Sequence, residues 1–240
     1  MEMTFEEVSA LHEAWCQEGE RGESTEFARA LIGRYPFLAP RNRCTRETVE
    51  FSDGHDRTEL SAMPIGWRRA IGLEMVEDLR TVLLAIGGEE ALHSYTIDQI
   101  KEKYGELRWY TSGPEDVSAE AADWLNCVEK LYCSICGYTC IFCGRMDDVR
   151  VTSGWIVPIC RNEKGFESAK ELPKLEANEP FCVCTRYLPD GKRERQDYKE
   201  LCVGKNAPVV KALGLSNPLL VTNVWQRLCG LDHDSAQSSR

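Results

Sequence analysis

Apolar residues recur at helical spacing from the start of the chain. Phe5, Val8, Leu11 and Trp15 fall three or four apart behind Thr4-Phe-Glu-Glu7, a capping box, so the pattern predicts an amphipathic helix over residues 4–18. Gly19 and Gly22 interrupt it. A second helix is expected from Ser24 or Thr25, with Phe27, Leu31 and Ile32 turned inward and Gly33 and Pro36 ending it. Residues 36–64 carry no period, with a turn signal at Asp53-Gly54. Trp67, Ile71, Met75, Leu79, Val82 and Ile86 then predict a long third helix stopped by Gly87-Gly88.

From Tyr95 to Thr111 the period changes to two. Leu107, Trp109 and Thr111 alternate with Arg108 and Tyr110, which predicts a hairpin hinged near Tyr104-Gly105-Glu106. Val117, Ala121, Trp124, Val128 and Leu131 mark a fourth helix, and Trp155 to Cys160 reads as a short buried strand. Trp109 and Trp124 sit in phase with these patterns and are expected in the core. Residues 163–180 turn polar. Phe181, Val183, Thr185 and Tyr187 then alternate up to the turn Pro189-Asp190-Gly191. Short helices are expected over Pro208–Leu213 and Pro218–Leu228, with Asn217 capping the second and Pro218 at its first position.

The pattern gives an α+β fold: helices packed on a small antiparallel sheet with a zinc-knuckle module, plus a smaller C-terminal hairpin and helix appendage. It divides into an N-terminal helix (1–24), a core with the zinc module (25–162), C-terminal hairpin and helices (163–231) and a polar tail (232–240) expected to be disordered. Composition adds a formal charge of −10, from 39 acidic against 29 basic residues. Such a surface repels nucleic-acid phosphates unless a local basic patch overrides it, and suits a protein partner with a basic face. The start Met-Glu-Met-Thr-Phe-Glu-Glu has neither a basic nor an apolar targeting region, and apolar runs such as 82–86 are too short to span a bilayer. A cytoplasmic protein is expected, and there 12 cysteines point to metal binding rather than disulfides.

Five of those cysteines fall within 28 residues: Cys133-Ser-Ile-Cys136, Cys140-Ile-Phe-Cys143-Gly144 and Cys160. A Cys-x-x-Cys turn aims two thiolates at one point, and Zn²⁺ takes four such ligands at about 2.3 Å. A structural zinc is expected on Cys136, Cys140, Cys143 and Cys160, with Cys133 the alternative for Cys136 and Glu163 a third candidate. Placing Cys133, Cys136, Cys140 and Cys143 on one ion would demand that a three-residue link fold two knuckles face to face. The competing reading is a set of free thiols packed as small apolar groups. No histidine lies in the stretch, which argues against a catalytic zinc with an open position.

The motif order Tyr35-Pro36-Phe37, Gly66-Trp67, Ile100-Lys-Glu-Lys-Tyr-Gly-Glu-Leu-Arg-Trp-Tyr110, Cys140-Ile-Phe-Cys143-Gly144 and Gly154-Trp155-Ile-Val-Pro-Ile-Cys160 resembles a family of uncharacterised bacteriophage and prophage proteins. Those carry a K-E-K-[FY]-G-x-L-R-[FWY]-Y segment followed by a small C-x-x-C-G…G-W…C metal module, and the resemblance covers residues 30–162. It implies a phage-encoded accessory protein acting inside a bacterial cell. The family often places a histidine three positions after its last cysteine, where this chain has Glu163; Cys133 and Cys136 are additional and stand in for the missing ligand. No reaction is known for the group, so no catalytic residue carries over.

Other clusters carry weaker signals. Glu102, Lys103, Glu106 and Arg108 flank the hairpin turn as a candidate partner-binding cluster, against the commoner reading of a solvated face. Asp53-Gly-His55-Asp56 has the composition of a general base or metal site, or of a polar turn. Cys182, Cys184, Cys202 and Cys229, with His233 nearby, are candidates for a second metal site. Arg186, Lys192, Arg193, Arg195 and Lys199, interleaved with Tyr187 and Tyr198, are the best nucleic-acid candidate, offset by Asp190, Glu194, Asp197 and Glu200. The last two helices suggest a helix-turn-helix, but its second helix offers only Arg227. No P-loop, GxSxG elbow or dinucleotide fingerprint appears. The expected function is therefore binding of a host protein, for instance to neutralise a bacterial defence system. The alternatives are a nucleic-acid-associated factor and an unrecognised hydrolase or nuclease.

Overall fold

The computed structural model describes residues 3–19, 22–42, 45, 47–49, 57–114, 116–175, 181, 183–187 and 193–231, with backbone alone for 183–187, 193 and 194. Asp53, His55 and Asp56, the 189–191 turn and the 232–240 tail lie outside them. The fold is α+β, helices with small antiparallel sheets.

Helix α1 (Phe5–Glu18) starts where the capping box predicts. Thr4 accepts from the Glu7 N–H at 3.2 Å, the Thr4 N–H donates to Glu7 at 2.7 Å, and Gly19 closes the helix at φ 72°. Helix α2 (Thr25–Arg34) is capped by Ser24 and buries Phe27, Ala28, Ala30 and Leu31. It runs through Gly33, and Ile32 is only half-buried. Trp15 of α1 stacks on Phe27 of α2 at 5.8 Å and lies 4.6 Å under the Arg68 guanidinium, so the N-terminal helix shares the main core.

The long helix departs from a regular rod in two places. It opens as α3 (Ile65–Trp67), widens into a π-turn over Arg68–Gly72, and continues as α4 (Leu73–Ser94). The apolar spacing explains the π-turn. Trp67, Ile71, Met75 and Leu79 are four residues apart, a step that drifts around a helix of 3.6 residues per turn, and one wider turn restores them to one face. All four are buried. The expected stop at Gly87-Gly88 is a break rather than an end: Gly88 takes φ 63°, ψ −151°, and helix resumes to Ser94.

Strands β1 (Thr96–Lys103) and β2 (Glu106–Ser112) form the expected hairpin, with Lys103 opposite Glu106. Tyr104 and Gly105 make its two-residue turn at φ 57° and 78°, the left-handed pair that matches strand twist. Leu107 and Trp109 are buried while Tyr110 is exposed. Helix α5 (Ala119–Cys136), capped by Ser118, follows, with Trp124 half-buried against the core. Three short strands, β3 (Val149–Val151), β4 (Pro158–Cys160) and β5 (Lys170–Glu171), pair antiparallel with β3 in the middle. The 155–160 expectation needs correction. Only the last three residues are strand, and Trp155 is 78% exposed, because the turn at Gly154 (φ 88°) lifts the preceding residues off the sheet.

Strands β6 (Val183–Tyr187) and β7 (Arg193–Asp197) pair as a hairpin, and α6 (Tyr198–Cys202), α7 (Pro208–Ala212) and α8 (Val221–Leu228) follow. Helix α8 begins three residues later than Pro218 suggested, and its cap comes from elsewhere. Asp78 of α4 accepts from the N–H groups of Leu220 (2.7 Å) and Val221 (2.8 Å), and from the Tyr132 hydroxyl of α5 (2.7 Å). One buried carboxylate thus joins three helices, and Cys202, Val209, Val221 and Trp225 enter the same hydrophobic cluster as Trp67. A second buried carboxylate, Glu129 of α5, accepts from the Tyr95 and Thr111 hydroxyls, while the Trp109 indole donates to Tyr95.

Burial pushes the Asp78 carboxyl up to about 7 against the three donors, which pull it down. A folded-state value above that of the unfolded chain stabilises the fold at low pH and is lost as pH rises. The wild type is expected to lose stability relative to Asp78→Asn between about pH 4 and pH 7, by roughly 1.4 kcal/mol per unit of difference. Urea titrations of both proteins across that range check it; a constant difference would contradict it.

Candidate metal centre

Helix α5 delivers the chain to the cysteine cluster, and its length decides which cysteines take part. The helix runs through Cys133 and ends at Cys136, so this first pair lies on a helical turn rather than in a knuckle. The chain then turns. The Thr139 hydroxyl donates to the Ile135 carbonyl at 3.0 Å, and the Trp67 indole donates to the Thr139 carbonyl at 2.8 Å. Cys140 follows directly.

Cys140-Ile-Phe-Cys143-Gly144 forms a tight knuckle, with the Cys140 N–H donating to Arg145 and the Gly144 N–H to Cys140. It is pressed against the start of α3. The Gly66 N–H donates to the Ile141 carbonyl at 3.0 Å, and a Cβ on Gly66 would lie 2.4 Å from the Cys140 oxygen. Gly144, at φ 83°, comes as close: its Cβ would meet the Gly66 oxygen at 2.7 Å. Each contact is closed to any residue with a side chain. The Ile141 N–H donates to Pro158, tying the knuckle to β4, which ends in Cys160.

Cys140, Cys143, Cys160 and Glu163 converge, with one donor atom of each within 4.8 Å of all the others. Sγ of Cys143 lies 3.6 Å from Sγ of Cys160, near the edge of about 3.8 Å expected for a tetrahedron with 2.3 Å metal–sulfur bonds. Cys140 and Cys160 are buried, Glu163 half-buried and Cys143 exposed. Burial, then the neighbouring Cys140 and Cys160 thiols, push the Cys143 thiol up. Three thiols and a carboxyl crowded together are a donor set that a cation binds in its deprotonated form. The group is therefore able to hold a metal ion.

The fourth donor in this group is Glu163, not Cys136 or Cys133. Cys136 is fully buried among core side chains, where desolvation first and Cys133 second push its thiol up. The sequence carried a signal for Glu163: Cys160-x-x-Glu163 repeats the spacing of Cys140-x-x-Cys143, and the Glu163 N–H donates to Cys160 just as Gly144 donates to Cys140. Beside the group, Asp147 receives two bonds from Arg145 and one from Arg161, and the Arg145 contact foremost holds its carboxyl down at about 2.

The other candidates separate. For the second metal site, Cys182, the Cys184 side chain and His233 lie outside the described residues. Cys202 is buried in the core and Cys229 half-buried beside Lys199, and among the described residues neither belongs to a group of three metal donors. In the basic stretch, Lys199 is buried, 3.4 Å from Asp197 and 5.6 Å from the Trp225 ring centre. Arg227 is engaged with Glu74 at 2.8 Å and the Ala70 carbonyl, which removes it from any recognition role.

At the hairpin, Glu102 accepts from the Gly105 N–H at 2.7 Å and so holds the turn, while the Lys103 amine lies over the Tyr104 ring. Arg108 pairs with Glu106 at 2.7 Å on the surface. The hairpin tip meets the cysteine module. A Cβ on Gly105 would touch the Ile156 carbonyl at 3.2 Å, so the tip, with Tyr104 66% exposed, meets the loop on which Trp155 and Ile156 are exposed. Sequence reasoning missed this exposed patch, because an apolar run reads as buried strand until its turn is known. Next to it opens a groove of about 750 Å³ between β2, the end of α5 and residues 172–175. No family model, curated protein or solved structure matches the chain.

Reduced, freshly purified protein is expected to carry one metal ion per chain. Cys140→Ser and Cys160→Ser should abolish binding and lower the melting temperature, Glu163→Gln should weaken affinity, and Cys136→Ser should leave the metal content unchanged. Elemental analysis with a chelator titration reads all four. Metal loss in Cys136→Ser with retention in Glu163→Gln would restore Cys136 as the ligand.

Proposed function

We propose that this chain is a phage-encoded accessory protein that binds a host protein, in the cytoplasm of the bacterial cell, through a surface held in shape by zinc. Three thiolates favour zinc over calcium or magnesium, which take oxygen donors. When bound, the ion supplies a tetrahedral cross-link between the knuckle and the end of β4. The observation that carries the reading is where that cross-link sits. The loop between Val151 and Pro158 enters β4, the strand that ends in Cys160; it exposes Trp155 and Ile156, and its Ile156 carbonyl meets the hairpin tip at Gly105.

Large exposed side chains such as Trp155, a tryptophan above all, are the usual anchors of protein interfaces. Four anionic donors around a dication leave the centre negative, and Arg145 and Arg161 beside it offset that charge. The order of motifs shared with phage proteins supports the biological setting, with a defence factor of the infected cell as the partner. Glu163 departs from that pattern, at the position where those proteins often carry a histidine. The net charge of −10 favours a protein partner over nucleic acid.

Affinity capture from bacterial lysate tests the reading. The wild type should retain a discrete host protein, and Trp155→Ala should lose it while keeping its metal and its melting temperature. Cys160→Ser should lose both. Recovery of nucleic acid alone, with affinity falling steeply as salt is raised, would favour the nucleic-acid reading instead.

A further inference from the structure

Among the described residues, strand β2 has only β1 as a partner. In a two-residue hairpin the pair flanking the turn, Lys103 and Glu106, exchanges both hydrogen bonds. Glu106, Arg108 and Tyr110 therefore bond to β1, and the N–H and C=O groups of Leu107 and Trp109 point away from it. Among the described residues no strand or loop backbone takes up that outer edge. The edge runs along the groove: every residue from Tyr104 to Tyr110 lines it, side chains of both faces included.

The opposite wall is a stripe of α5, Lys130, Ser134 and Gly137, one helical turn apart, continued by Tyr138. Residues 172–175 and Phe181 close one end and Ile156 of the metal module another. The lining is basic in a chain of net negative charge. Lys130 and Lys174 are exposed on it, and its one acidic side chain, Glu106, already faces Arg108.

We infer that the groove takes an extended segment of a partner protein, which adds to β2 as a third strand. Main-chain bonds to Leu107 and Trp109 supply the docking, and acidic side chains at alternate positions of the segment meet Lys130 and Lys174. The side chains between them point to the other face of the sheet, which carries Arg108 and Tyr110. This rests on the protein-binding reading above and gives the partner its chemistry: an acidic, alternating, extended peptide. It is separable from that reading, because Trp155, which is not part of the groove lining, can engage a folded surface without the groove.

A blocked decapeptide alternating valine and glutamate is the probe, with a valine–lysine decapeptide and a version N-methylated along one edge as controls. Calorimetry should show saturable binding of the acidic peptide alone. Hydrogen exchange should slow at the Leu107 and Trp109 amides when it binds. Lys130→Glu with Lys174→Glu should weaken it roughly tenfold or more with the fold intact by circular dichroism. Trp155→Ala should still bind the peptide, even where it no longer captures the host protein. Four outcomes overturn the proposal: no binding of the acidic peptide at millimolar concentration, equal binding of the lysine or N-methylated peptide, protection of both amides in the free protein, and protection that rises with protein concentration alone. The third means that the chain covers its own edge, and the fourth that a second copy does.

Discussion

A single carboxylate buried where three helices meet holds the chain together. Asp78 is fully desolvated, and it is tolerable there because the Tyr132 hydroxyl and two backbone N–H groups at the start of α8 all donate to it. Each donor would be an orphan without it. Residues 142 and 143 positions downstream are thereby pinned to the middle of the long helix, and the hydrophobic cluster runs unbroken from Val8 to Trp225. Glu129 does the same one turn earlier on α5, joining it to the hairpin through Tyr95 and Thr111. Helix α5 is thus fixed at this turn by polar contacts that specify register, within packing that is otherwise apolar.

That rigidity reaches the cysteines through backbone rather than side chains. Because Gly66 and Gly144 lack Cβ atoms, the first turn of the long helix and the knuckle touch main chain to main chain. The Trp67 indole fixes the residue before Cys140, and the Ile141 N–H fixes the strand that carries Cys160. Three of the four candidate donors therefore stand in place on elements already anchored to the core, and only Glu163 sits on a loop. Preorganisation of this kind lowers the ordering cost that binding an ion would carry.

Most elements were legible because local chemistry and tertiary packing agree in them. Thr4 and Glu7, Ser24, Ser118 and the Tyr104-Gly105 turn each sit where capping and strand-twist rules put them. The fourth candidate donor was only partly legible: Cys160-x-x-Glu163 repeats the knuckle spacing, but whether Cys133 and Cys136 take part depends on how far α5 continues. Nothing in Lys130 to Gly137 marks a stop, and a Cys-x-x-Cys pair reads the same on a helix as in a turn. The late start of α8 was hidden for a related reason. Its cap is Asp78, distant in sequence, while the local signal of Asn217-Pro218 pointed three residues too early. The exposure of Trp155 likewise follows from the left-handed Gly154, which hydrophobicity cannot report.

The wide turn over Arg68–Gly72 keeps one apolar face continuous along what is otherwise one helix. Each α-helical residue advances the face by about 100°, so a single inserted residue re-aims everything upstream of it. Gly66 and Trp67 meet the knuckle at one end of that helix, while Asp78 meets α5 and α8 further along. Among related sequences, a one-residue gap inside this stretch would mark chains in which the knuckle-contacting half is turned by about 100° against the half that joins the helices. Such a gap would predict a different resting orientation for the whole cysteine module.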